Sequence, residues 1–153
     1  MKLSRLKLAI MSLLLFAGFV PLRGQTMQHI ETPSESLAIR QKLIARGLRG
    51  YETSLRVTYS ETIVESAIFQ SVKMKLREPN QDYSRIIDEL KRLSFKGSNP
   101  GLRYKAYVAA SIMPNPEQFL NAGQIKQVLA FTEETRDEFF VFVAAALQER
   151  RAD

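Results

Sequence analysis

The sequence predicts an all-α fold, a short right-handed stack of helical hairpins that follows an N-terminal export segment. Three observations predict it. Apolar residues recur at helical spacing along nearly the whole chain after residue 32. Capping residues, several followed by proline, punctuate that pattern at regular intervals. The chain also matches itself at an offset of 39 residues.

The N-terminus reads as a targeting segment. Lys2, Arg5 and Lys7 precede an apolar run from Leu8 to Val20, which Pro21 ends. That run is 13 residues long, short of the roughly 20 needed to span a bilayer. A basic start, a short apolar stretch and a small residue make up a secretory signal peptide, so residues 1–24 are expected to be removed between Gly24 and Gln25. The alternative is an uncleaved N-terminal anchor on a peripheral membrane protein. Acylation as a lipoprotein requires a cysteine, and the chain has none. Export predicts a periplasmic or secreted location in a bacterium, with no stable membrane span after cleavage.

Cleavage changes the charge argument. Loss of Lys2, Arg5, Lys7 and Arg23 takes the 22 basic residues to 18 against 16 acidic ones, so the net charge falls from +6 to +2. A nucleic-acid footprint needs a basic face that survives maturation, and no nucleic-acid partner is expected. Without cysteines no disulfide can staple the fold, and apolar packing has to hold it.

Residues 25–31, with the single His29, read as a flexible lead to a domain at 32–153. Thr32-Pro33-Ser34-Glu35 is a start signal: a capping residue, a proline suited to the first turn, and an acid that can reach back to the cap. The helix carries Leu37, Leu43, Ile44 and Leu48 and is expected to break at Gly47 and Gly50, with a polar connector from Tyr51 to Tyr59. Ser60 is expected to cap a helix with Ile63-Ala67-Ser71 and Val64-Ile68-Val72-Leu76 as adjacent inward rows. Glu78-Pro79-Asn80 stops it. Asp82 opens the next, with Tyr83, Ile86, Ile87, Leu90 and Leu93 inward and Gly97 at its end. Asn99-Pro100 starts a helix with Leu102, Ala106, Ala109 and Met113 on one face, ended by Pro114. A shorter piece begins at Asn115-Pro116-Glu117, and Ile125, Val128 and Leu129 resume helical spacing. The last helix starts near Thr132 or Thr135, with Glu133, Glu134, Asp137 and Glu138 where a helix dipole favours acids.

At the 39-residue offset, Ser60 to Ala67 falls on Asn99 to Ala106, and Asp82, Ile86 and Leu90 fall on Asn121, Ile125 and Leu129. A helix-pair period near 40 residues is that of HEAT and armadillo arrays. The stretch Asn99-Pro-Gly-Leu102-Arg103-Tyr-Lys-Ala106 resembles the first-helix signature of a HEAT repeat: a capping Asp or Asn, often a proline, then aliphatic-Arg-x-x-Ala. The copy at 60–67 has Val64 where the arginine would stand. The resemblance covers about 60–131, with a partial unit at 33–58. It implies a short α-solenoid that binds a protein or peptide. It also implies that Arg103 ties adjacent repeats through a carboxylate, and the offset makes Glu65 its partner.

Catalytic sites have little to work with. With no cysteine and His29 in the lead, Ser-His-Asp, Cys-His and Cys/His zinc arrangements have nowhere to form. No phosphate-binding glycine motif occurs, and no cofactor is expected. A carboxylate-dependent envelope hydrolase using Glu133, Glu134, Asp137 and Glu138 is the enzymatic alternative. The expected function is a non-enzymatic interaction module. Its candidate surface is Tyr104, Lys105 and Tyr107, aromatics beside a cation, with Phe140 and Phe142 from the apolar run Phe139–Leu147. That run is apolar on every side of a helix, which points to a partner or a second copy of the chain covering the C-terminal helix.

Overall fold

The computed structural model describes residues 33–56 and 60–152. The signal peptide expected at 1–24, the lead at 25–31 and the Thr32 cap lie outside the described residues. Among the described residues the chain forms α-helices, one 3-10 turn and no strand, as its periodicity predicts. The helices are α1 (Pro33–Arg56), α2 (Glu61–Arg77), α3 (Ser84–Lys96), α4 (Pro100–Ile112), α5 (Ala122–Ala130) and α6 (Arg136–Ala152), with the 3-10 turn at Pro116–Gln118.

Helix α1 departs from expectation. It runs unbroken through Gly47, Gly50 and Tyr51 to Arg56, so the break and most of the connector are replaced by helix. A helical glycine costs about 1 kcal/mol relative to alanine, and burial outweighs that here. Ile44 and Leu55 are buried, and Leu48 and Tyr51 pack against the core between them. Gly47 also faces α2 closely, since a β-carbon there would lie 3.1 Å from the Met74 methyl.

The starts of α2 and α3 differ in detail. Ser60 occupies the N-cap of α2, but its side chain makes no capping bond; its carbonyl accepts from Val64 N–H at 3.1 Å. Asp82 sits one residue before the N-cap of α3, where its carboxylate accepts from the Ser84 amide at 2.9 Å. The expected caps at Asn99 and Asn121 form as hydrogen bonds. Asn99 accepts from the Leu102 amide at 2.7 Å with Pro100 in the first turn. Asn121 and Gln124 form a reciprocal capping box. Gly97 closes α3 with a negative φ, and it is a close approach that requires glycine there. An added β-carbon would stand 2.8 Å from the Leu93 carbonyl oxygen.

Helix α4 is central, packing against α2, α3 and α6, while α5 touches α2 and α6. Leu102, Ala106, Ala109 and Met113, the face read from the sequence, are all fully buried. Ala67 and Ala106, equivalent under the 39-residue offset, are both buried. The N-termini of α2 and α4 lie side by side, because Glu61 accepts from Ser98 Oγ and from Asn99 Nδ2. One turn on, Glu65 meets Lys105 at 3.1 Å, so the two helices run the same way.

Helix α6 joins this pair. Glu65 also meets Arg136 at 3.3 Å, and the Phe69 and Phe139 rings pack edge to face at 4.8 Å. The contact advances in the same direction along both helices. Thus α2, α4 and α6 touch one another as a group, whereas units two apart in a strictly one-dimensional stack make no contact. Helix α1 flanks the group, held to α2 by Arg40–Glu78 and to α3 by Arg56–Glu89.

Candidate functional site

Glu65 sits where the three helices converge, and the local geometry follows from their shared direction. Its carboxylate faces Lys105 of α4 and Arg136 of α6, while Lys105 also binds Asp137 at 2.7 Å. Lys105 further lies over the Phe140 ring, 5.6 Å from its centroid. Burial pushes the Lys105 ammonium down, but hydrogen bonds to Asp137 and Glu65 outweigh it and raise its pKa overall. Asp137 responds to the same bond by moving below the usual carboxylate range.

The expected tie between Arg103 and Glu65 is replaced by this arrangement. Arg103 Nη1 donates instead to the Gly97 carbonyl at 3.1 Å, closing the turn between α3 and α4. The reason is helical phase. Residues 103 and 105 point about 200° apart on a helix, and it is residue 105 whose side chain reaches α2.

Beside this junction a cleft of about 470 Å³ opens between α1, α2 and the start of α6. Tyr51, Ser54, Thr62, Ile63, Ser66, Ala67, Glu133 and Arg136 line it. Glu133 accepts from Gln70 Nε2 at 2.6 Å, Ser66 Oγ at 2.9 Å and Arg136 Nη1 at 3.1 Å. Burial raises the Glu133 carboxyl, but those three partners outweigh it and hold it below its ordinary value. Glu134 is lowered too, through the Thr132 side chain and its own backbone. Arg136 Nε is buried with no hydrogen-bond partner among the described residues. On α2, Lys73 is buried, donates to the Phe131 carbonyl and lies 4.9 Å from the Phe69 ring centroid. Desolvation lowers its pKa, and its bond satisfies the carbonyl at the C-terminal cap of α5.

The proposed tyrosine surface divides. Tyr104 and Tyr107 are 49% and 43% exposed and border a shallow groove between α4 and α6, with Val108, Ala144, Leu147 and Gln148. Lys105 turns away into the ion-pair junction. Phe140 is 2% exposed and belongs to the core, and Phe142 is partly buried against it. Neither ring therefore contributes to an open face. The apolar run on α6 is largely enclosed by its own chain: Phe139, Phe140, Val143, Ala144, Ala146 and Leu147 are buried, and Val141 stands out at 71%.

Two features went unread in the sequence. Lys73 follows Phe69 by four residues within a wide apolar face, and a lysine embedded in such a stripe signals a buried, partnered cation. Arg136 lies three residues after Glu133, the spacing of an intrahelical pair. Among the described residues, no group of three His, Asp or Glu side chains is placed to hold a metal ion, and no helix is long and apolar enough to cross a membrane. Comparison of the chain with protein-family models, with curated proteins and with solved structures gives no match.

Proposed function

We propose that the chain is an exported, non-enzymatic interaction module of the bacterial cell envelope, a HEAT-like unit that binds a protein or peptide along the groove between α4 and α6. The observation that carries this reading is the pair of tyrosines, both open, over an apolar floor of Val108, Ala144 and Leu147. Tyrosine supplies large, amphipathic contact area at low entropic cost and is enriched at protein interfaces. The HEAT-like part of the reading draws on the shared direction of α2 and α4, with Ser60 and Asn99 at their N-caps and Ala67 and Ala106 buried at equivalent places. A second copy of the chain, meeting α6 at the exposed Val141, is the alternative partner.

The carboxylates at the start of α6 favour the non-enzymatic side. A hydrolase of the two-carboxylate kind needs one acid whose pKa is raised so that it stays protonated. Here Glu133, Glu134 and Asp137 are all lowered by their hydrogen bonds.

The test places a photoreactive residue at Tyr107 in the full chain, expressed in its native envelope, with a control at Asp88 on α3. The expected result is a discrete heavier adduct from position 107 that position 88 does not give. No adduct, or the same adducts from both positions, counts against the groove. Mass spectrometry of the exported protein tests the location: a mature N-terminus at Gln25 is expected, and an intact Met1–Gly24 contradicts it.

A further inference from the structure

Helix α1 presents a second face that the interaction reading does not use. Its inner side carries Ile44, Leu48, Tyr51 and Leu55 against the core. About 110–150° around the axis from that side, Ile39 and Leu43, four residues apart, form an aliphatic ridge that is 42% and 62% exposed. Beside that ridge Lys42, Arg46 and Arg49 fall within about 60° of one another around the axis. All three are exposed.

The charge on this face is unbalanced. Between Glu35 and Glu52 the helix contains four cations and no acid. Arg40 is paired with Glu78 across to α2, and further along Arg56 is paired with Glu52 and Glu89. Lys42, Arg46 and Arg49 have no acidic partner among the described residues. A partner helix could cover this face only by setting an acid against each of the three cations beside the ridge, since burying them uncompensated is costly. A lipid surface makes no such demand. Aliphatic side chains enter the boundary between headgroups and acyl chains, while long cationic side chains extend to the phosphates.

We propose that the outer face of α1 docks on an anionic phospholipid bilayer, with Ile39 and Leu43 inserted at the headgroup boundary and Lys42, Arg46 and Arg49 against lipid phosphates. This docking is independent of the groove between α4 and α6, and either can fail without the other.

The chain has no cysteine, so Leu43→Cys gives a unique site for an environment-sensitive fluorophore. Phe95→Cys, at an exposed position on α3, is the control. The full chain is mixed with vesicles of phosphatidylglycerol and phosphatidylcholine, and with vesicles of phosphatidylcholine alone. Because residues 1–24 combine an apolar run with Lys2, Arg5, Lys7 and Arg23 and no acid, they favour anionic lipid by themselves. The readout is therefore the Leu43 probe and the change that the α1 substitutions make in chains with the same N-terminus. The expected result is a blue-shifted Leu43 probe on the anionic vesicles only, an unshifted Phe95 probe, and binding that weakens as salt rises. Each cation near an anionic surface strengthens binding roughly fivefold. Lys42→Gln/Arg46→Gln/Arg49→Gln should therefore lower the anionic-vesicle partition coefficient roughly 100-fold while leaving the urea midpoint unchanged. Ile39→Ser/Leu43→Ser should weaken it as well. An unshifted Leu43 probe, equal shifts at both positions or on both vesicles, or unchanged binding by the triple variant would overturn the proposal. Binding to duplex DNA that needs the cations but ignores Ile39 and Leu43, with no response to vesicles, would assign the face to a polynucleotide and overturn it too.

Discussion

Lys105 holds its ammonium between Glu65 and Asp137 with its own side chain only 17% exposed. That burial places the Glu65–Lys105 pair between two known limits: under about 1 kcal/mol for exposed pairs, and about 3–5 kcal/mol for breaking a buried one. A double-mutant cycle of Glu65→Ala and Lys105→Ala, read by urea unfolding, should give a coupling of about 1–2 kcal/mol. The same cycle with Arg103→Ala should give coupling within about 0.5 kcal/mol of zero, because Arg103 serves the Gly97 carbonyl instead. Ala106 is a sharper probe of packing. It is fully buried on the central helix, so Ala106→Leu should overpack the site and destabilise by about 1–3 kcal/mol; an unchanged melting temperature would contradict the assigned register. At this scale the sequence revealed most inward positions but not which side chain meets which. Ile63, expected in an inward row, is 54% exposed and borders the cleft beside α1, because the row turns out of the core at the first turn of α2. Glu65 was identifiable as a tie, and its partner was misplaced by two residues because a repeat offset carries no helical phase.

Among the elements, α1 separates what pattern can show from what packing decides. The inward Ile44 and Leu48 and the close of α3 at Gly97 were legible, whereas Leu37 and Leu43 from the same apolar set stand 57% and 62% exposed. The continuity of α1 through Gly50 was not legible, because the buried Leu55 at its far end draws the helix onward. Gly50 has open space around the position of a β-carbon, while at Gly97 that atom would meet the Leu93 carbonyl oxygen at 2.8 Å. Gly50→Ala should therefore stabilise the fold by about 0.5–1 kcal/mol, and Gly97→Ala should destabilise it. Thermal unfolding of the two variants checks both signs, and a destabilising Gly50→Ala would mean that α1 breaks there. The C-terminal run was legible as apolar on every side but not as enclosed: α2, α4 and α5 pack on α6 and bury Phe139 and Phe140 within the chain, leaving Val141 exposed.

Taken as a whole, the molecule is held by an ion-pair junction as well as by its core, and that gives it a pH dependence with a definite sign. Glu133 and Asp137 have folded pKa values below their ordinary 4.5 and 3.8. Their contribution is fully present above about pH 4.5 and is lost as pH falls through the lowered values. Lys105 is raised from 10.5, so its contribution is present below that pH and is lost as pH rises through the raised value. Urea midpoints across the acid range should fall below pH 4.5, and Glu133→Gln should flatten that fall; an unchanged slope would remove Glu133 from the account. The all-α class was readable from periodicity and capping. The meeting of α2 with α6 was not, since a repeat pattern describes neighbours and is silent about units two apart. That meeting fixes the junction around Glu65, encloses most of α6, and leaves the tyrosine groove open between α4 and α6. A nuclear Overhauser measurement between aromatic rings in the full chain tests it most directly. Cross-peaks are expected between Phe69 and Phe139, whose ring centroids lie 4.8 Å apart, alongside cross-peaks between Phe131 and Phe139. Cross-peaks joining α2 to α4 with none between Phe69 and Phe139 would describe an open row of helices and contradict the meeting of α2 with α6.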